Sequence, residues 1–368
     1  MTNLDTAFEK WQQRISQLIE KHPLQIISWE ATRRCNMNCV HCGSPSEEVD
    51  LEEELSSDEV VAAFEQIVTD FDMSQFRHIN ITGGEPFVRD DLIHILRSIS
   101  MHQPFRNIDI QTNGIFIANN TDILDELRHV GVTGLGISID GLENTHDTFR
   151  GQLGGFTKAV EAAKTSVERG YIVTVSVVAH AKNIDEIPEL FSFVKREIKP
   201  RVFRIMTIDP IGRTDFDSEY LLSPLQTRTV INFLREEYAK SCATYADPNS
   251  TIVELGCGGW LGKELEGTLR PFIFHCIAGI TNLGILYDGK LASCSNISRD
   301  YIEGDLRLEK ILDVWNNNYQ RYRDLNWKKI GSCMKCSEWE YCHGGPMHIQ
   351  STEFKCLYES INVIEDMS

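Results

Sequence analysis

The sequence predicts an α/β protein built on a parallel sheet, with a small cysteine-rich C-terminal region. Three observations carry that prediction. Between about residues 24 and 207, six short β-branched runs alternate with five amphipathic segments, the pattern of repeated strand–helix units. The polar, glycine-bearing motifs of that region each fall directly after a strand, at the edge where α/β folds bind ligands. From about residue 251 the composition shifts to Gly, Cys and aromatic residues with few periodic elements, so that region needs a staple, and metal is the available one.

The elements follow in order. Residues 1–23 carry apolar side chains at helical spacing among charges, without the apolar core or cleavage site of a secretory signal, and predict a surface helix of a cytoplasmic protein. The strands are expected at 25–31, 78–82, 107–112, 134–139, 172–178 and 202–208. Helices are expected near 57–70, 90–101, 121–130, 155–169 and 185–197, with Ser57 at the first start and Gly131 and Gly170 at two of the ends. Residues 211–250 break the alternation and read as a bridge with a helix near 224–241. The domains are therefore 24–210, the 211–250 bridge and 251–368.

The 368 residues exceed what one core usually organises. A formal charge of −18 without a dense basic patch argues against nucleic acid. No apolar run is long enough to span a membrane. Eleven cysteines, seven of them in two short-spaced groups, point to metal or redox chemistry in a reducing compartment.

Cys35, Cys39 and Cys42 form C-x3-C-x2-C after the first strand. Three thiolates on one loop suit three corners of a cubane with the fourth iron open, although a zinc knuckle lacking one ligand has the same appearance. The second strand ends in Thr82-Gly83-Gly84-Glu85-Pro86, where two glycines permit close backbone approach to a ligand and Glu85 can accept from an ammonium group. Gln111–Gly114 follows the third strand and Ser138–Gly141 the fourth.

The triad, GGEP, QTNG, SIDG and the HDTFRG run of 146–151 together resemble the radical S-adenosylmethionine superfamily over roughly residues 24–210. The resemblance implies a partial (β/α)6 TIM-like barrel. It also implies a 4Fe–4S cluster on Cys35, Cys39 and Cys42 that reductively cleaves S-adenosylmethionine to a 5′-deoxyadenosyl radical. Gly83, Gly84, Glu85 and Pro86 would bind the methionine amine, and His41 would pack near adenine. Asn113, Ser138 and Asp140 would contact the ribose or methionine part, and Arg150 the carboxylate.

Cys276, Cys294, Cys333-x2-Cys336-x5-Cys342 and Cys356 resemble the SPASM extension of that superfamily, which implies auxiliary 4Fe–4S clusters; a zinc ribbon can use the last four residues. Pro346 stands where the family commonly has another cysteine. Two clusters are favoured over a single "twitch" cluster on Cys276, Cys294, Cys333 and Cys336. In the two-cluster arrangement Cys257, Cys276 and Cys294 hold an inner one with an open site, and Cys333, Cys336, Cys342 and Cys356 an outer one. Cys242 reads as a buried small hydrophobe. Ser295 occupies the position where sulfatase-maturating relatives carry an aspartate base, so their oxidation is not expected; Asp209 is a weak candidate for a base.

The expected function is radical modification of a peptide or protein, by crosslink, thioether or epimerisation, with electrons from a donor such as ferredoxin or flavodoxin. The motifs also bring to mind a bacterial subgroup tied to small lipoprotein or peptide maturation. About 23 residues before the first strand are too few for a leader-binding winged helix, so a substrate would dock elsewhere. The alternatives are radical modification of a small molecule, such as a tetrapyrrole side chain or sugar alcohol, and a non-catalytic iron–sulfur or zinc protein.

Overall fold

The structure is a computed structural model that describes residues 3–44, 53–242, 244–349 and 356–362. The six expected strands form as β1 (Ile26–Thr32), β2 (His78–Gly83), β3 (Ile108–Thr112), β4 (Val132–Ser138), β5 (Ile172–Ala179) and β6 (Val202–Thr207), consecutive and parallel. The cysteine-rich region adds four more. β7 (Ile252–Leu255) runs parallel to β6 and β8 (Asn282–Ile285) parallel to β1; β9 (Lys290–Ala292) and β10 (Gly304–Asp305) continue antiparallel beyond β8. The sheet runs β10-β9-β8-β1-β2-β3-β4-β5-β6-β7 and does not close. Strands from beyond residue 251 thus flank the six repeated units on both sides.

Alternation along β1 shows why the lumen can host chemistry. Ile27, Trp29 and Ala31 pack outward, with Trp29 edge-on to Phe64 at a centroid distance of 6.0 Å, while Ser28, Glu30 and Thr32 form the opposite row. Phe64 lies on the helix Ser57–Asp70, and its ring meets Phe105 at 5.3 Å, so aromatic contacts tie helix, strand and the β2–β3 connection together. That helix spans the expected residues, with Ser56 as its cap, closing a capping box with Glu59. Gly131 and Gly170 end their helices at φ of 88° and 78°, conformations that L side chains resist.

Two sequence readings need correction. The N-terminal helix α1 (Asn3–Lys21) does more than cover the surface, because Phe8 is buried against Trp260 and Tyr341, and Trp11 Nε1 donates to the Ile273 carbonyl. Its apolar face therefore docks on the cysteine-rich region. Cys242, at the end of the bridge helix Pro224–Cys242, is exposed rather than buried, since Tyr238 and Ser241 take the buried face of that last turn.

Candidate functional site

A cavity of about 770 Å³ opens at the carboxyl ends of the parallel strands. Its wall includes Cys35, Cys39, Cys42 and His41 from the loop after β1, Gly83, Gly84 and Glu85 after β2, Asn113 after β3 and Ser138 at the end of β4. Arg150, Asp209 and Cys257 complete the expected residues found there. Pro86 and Asp140 are buried and do not line it.

Local backbone geometry explains the glycines differently from the sequence reading. Gly84 N donates to the Thr32 carbonyl at 2.7 Å and Glu85 N to the Arg34 carbonyl at 2.9 Å. A methyl group on Gly83 or Gly84 would lie 2.1 Å from the Thr32 or Arg34 carbonyl oxygen respectively. The group these glycines admit is the chain's own triad loop. A register irregularity between Glu30 and Thr32 turns the end of β1 toward that contact.

The triad loop is strapped from two further sides. Val40 N donates to the Phe149 carbonyl at 3.0 Å, and the His41 ring stacks on Phe149 at 4.4 Å with planes 6° apart. His180 stacks on Phe149 at 3.9 Å as well. Burial pushes His41 down to about 4, so it is a neutral aromatic surface near neutral pH. After β6, Arg213 N donates to the Cys42 carbonyl and Arg213 Nη1 to the Cys39 carbonyl, both at 3.0 Å. Sequence reading missed Arg213; the signal was its place after a sixth strand, the same edge as every other motif.

Electrostatics fit anionic thiolates at this loop. Burial raises Cys35 to about 11 and raises Cys39 also, so the bare thiols stay protonated, whereas metal ligation demands thiolates. Arg150 and Arg213 act in the opposite direction on Cys39, and Arg150 Nη1 lies 4.0 Å from its sulfur. Arg150 is held by Asp140, whose Oδ2 accepts from Nε at 2.6 Å while Oδ1 accepts from Val178 N at 2.8 Å. Burial alone would raise Asp140; Arg150 and the nearby histidines overcome it and hold the carboxyl down to about 2. Asp140, with both oxygens engaged and no exposure, reaches the cavity only through Arg150.

Glu85 is also fully engaged. Its Oε1 accepts from Thr112 Oγ1 at 2.8 Å and Phe87 N at 3.3 Å, and its Oε2 from Asn113 N at 2.8 Å. Burial outweighs those bonds and pushes it up to about 7, which a cation arriving beside it would reverse. Glu30, facing the same lumen, is likewise pushed up to about 7 by burial, although Arg299 stands 3.7 Å away. Asp209 pairs with His348 at 3.3 Å, a partner the sequence reading did not single out.

The later cysteines act on one another in the fold. Burial and the neighbouring thiols of Cys276 and Cys294 raise Cys257, which faces the cavity. Burial raises Cys342 and Cys356 to about 12, and Cys333 repels both thiolates. Cys336 in turn acts on Cys333. All eleven cysteines are free thiols, and among the described residues no three His, Cys, Asp or Glu side chains converge on a single-ion site.

A barrel edge carrying three thiols beside a glycine-tethered carboxylate defines a protein that holds a cluster and an organic cation side by side. Family models agree: "Radical SAM superfamily" matches residues 29–194 and "Iron-sulfur cluster-binding domain" residues 276–337. GTP 3′,8-cyclase of Listeria welshimeri is 32% identical over 73% of this chain and 78% of its own. PqqA peptide cyclase of Rhizobium meliloti is 24% identical over 88% of this chain and 82% of its own. Fe-coproporphyrin III synthase of Methanosarcina barkeri is 32% identical over 51% of this chain, which spans only 47% of that relative's length. Among solved structures, anSMEcpe with AdoMet and a Cp18Cys peptide superposes with a TM-score of 0.68 at 17% identity, covering 94% of this chain and 100% of that one. SuiB of Streptococcus suis, bound to its precursor peptide SuiA, gives 0.63 at 18% identity, covering 90% and 75%. The chain belongs to the radical SAM superfamily and carries a SPASM domain. It is an enzyme whose cofactors are a 4Fe–4S cluster, S-adenosylmethionine and auxiliary iron–sulfur clusters.

Proposed function

We propose that this enzyme modifies a peptide or protein by radical chemistry, forming a crosslink or thioether or inverting a stereocentre. The observation that carries the reading is Cys257 on the wall of the cavity that also holds the triad. With Cys276 and Cys294 it offers three thiols, and Pro346 stands where a fourth would be usual, so the inner cluster has a position for a substrate group facing the same space. A relative named for a peptide substrate, PqqA peptide cyclase, matches most of the chain's length.

When bound, the triad cluster supplies an electron that cleaves S-adenosylmethionine to a 5′-deoxyadenosyl radical, and a ferredoxin or flavodoxin is the proposed donor. The chain's own residues do the rest. Cys35, Cys39 and Cys42 hold the metal, Glu85 and the Gly83–Gly84 backbone receive the amine, and Arg150, oriented by Asp140, receives the carboxylate. Neutral His41 offers its ring face to adenine, with Asn113 and Ser138 nearby for the ribose or methionine part. The Asp209–His348 pair is the candidate proton acceptor at the mouth. Residues 24–210 make the radical-generating unit and 251–368 the auxiliary one, with 211–250 between them and the helix Asn3–Lys21 of the 1–23 segment docked on the auxiliary part. Eleven free thiols suit the cytoplasm, and among the described residues no helix is long and apolar enough to cross a membrane.

A tetrapyrrole substrate is the second reading, favoured by the match to Fe-coproporphyrin III synthase over about half of the chain. One anaerobic experiment separates the two. The reconstituted enzyme is given reductant, S-adenosylmethionine and either peptides encoded beside its gene or iron coproporphyrin III. A peptide mass change with deoxyadenosine formation supports the proposal; turnover of the porphyrin alone overturns it.

A further inference from the structure

Lys328 is a buried lysine with no carboxylate partner among the described residues. It is 6% exposed, and its Nζ donates to the carbonyls of Gly345 at 2.9 Å and Pro346 at 3.5 Å. Its stem lies against Gly344, where an added methyl would come within 2.9 Å of Lys328 Cε. The ammonium is thus fixed under the turn that follows Cys342, and Gly345 N closes that turn on the Cys342 carbonyl at 3.1 Å. Along the chain Lys328 sits five residues before Cys333, and the 3-10 turn carrying Cys333 begins at Gly331.

A buried cation bonded only to carbonyls is costly unless negative charge stands near it. Here the nearby negative charge is thiolate. Burial pushes the Lys328 ammonium down, and the thiolates of Cys276, Cys342 and Cys333 are what oppose it. His275, next to Cys276, and His343, next to Cys342, face one another at a centroid distance of 5.8 Å, so the two cysteine groups come together beside this turn. The donor set fits clusters on both sides, since each is a set of thiols whose ligation leaves net negative charge for a fixed cation to offset.

We propose that Lys328 is a shared electrostatic positioning residue between the two auxiliary clusters, whose fixed charge raises the reduction potentials of both and holds an electron in that pair. It makes no bond to a metal and transfers no group. Its effect is the ordinary one of net local charge on cluster potential. This rests on the reading of two auxiliary clusters given above.

The test is a redox titration of the reconstituted full chain followed by electron paramagnetic resonance, with and without S-adenosylmethionine. The signal that S-adenosylmethionine perturbs belongs to the triad cluster and the remainder to the auxiliary pair. Lys328→Met should lower the midpoint potentials of the unperturbed signals and leave that of the perturbed one unchanged, while Lys328→Arg keeps wild-type values. Unchanged auxiliary potentials in Lys328→Met at full iron content would overturn the proposal. Should Lys328→Met lose iron, Lys328→Arg decides: retained iron and potentials support a role for the charge, and equal loss contradicts it. A wild-type chain that binds iron for only one auxiliary cluster beside the triad cluster instead refutes the two-cluster reading, and this proposal falls with it.

Discussion

The residues that matter most at this site act on one another before they act on a ligand. Gly84 illustrates it: a methyl group there would strike the Arg34 carbonyl, so Gly84→Ala must displace the triad loop. We expect destabilisation of roughly 1–3 kcal/mol, measured by urea melts, and loss of the S-adenosylmethionine-perturbed cluster signal. Arg150 is a second case. Arg150→Met leaves the unexposed Asp140 carboxylate with one backbone donor, at a cost of about 3–5 kcal/mol. Adding Asp140→Asn should recover most of that loss in the same melts, and no recovery would contradict the pairing.

Glu85 and Glu30 set a pH dependence at the same scale. Burial holds both near 7, above the 4.5 of a free side chain, so between those values the folded chain binds more protons than the unfolded one. Their contribution to stability therefore falls as pH rises through that window. The stacked histidines His41 and His180, pushed down to about 4, tilt the other way. The measurement is thus a difference: Glu85→Gln/Glu30→Gln should gain stability relative to wild type from pH 5 to 8 in denaturant titrations of the metal-free chain. A pH-independent difference would contradict the assignment.

At the scale of elements, the repeated region was legible because parallel strands buried on both faces leave β-branched runs, and all six appear within a residue or two of their expected places. Ser56 rather than Ser57 caps the first barrel helix because Glu59 must stand three residues on to close the box. β7 and β8 escaped notice for a different reason: four residues each, they are too short for periodicity and are recruited by the edges of an existing sheet. The docking of α1 was illegible too, since an amphipathic pattern names an apolar face and not what that face meets. Phe8→Ala removes the centre of that contact, and we expect a loss of about 3–5 kcal/mol. Iron analysis should show the outer cysteine group affected while cofactor cleavage persists.

Across the whole molecule, sequence order and spatial order diverge, and that divergence limited what could be read. The triad, GGEP, Asn113, Ser138 and Arg150 converge because each follows a strand of one sheet, which a single chain reveals through position alone. Arg213 and His348 join them from the bridge and the C-terminal region, with no motif to announce either. The division of labour between the cysteine groups is a whole-molecule prediction. Cys336→Ala, in the outer group, should keep some cofactor cleavage and yield no modified substrate, as read by deoxyadenosine release and substrate mass.

The central claim is that three thiols on the loop after β1 leave one iron open beside Glu85 for S-adenosylmethionine. Anaerobic deoxyadenosine formation by reconstituted wild type and Cys39→Ala, with reductant, tests it most directly. The account predicts cleavage in wild type and none in Cys39→Ala; equal cleavage in the two would contradict it.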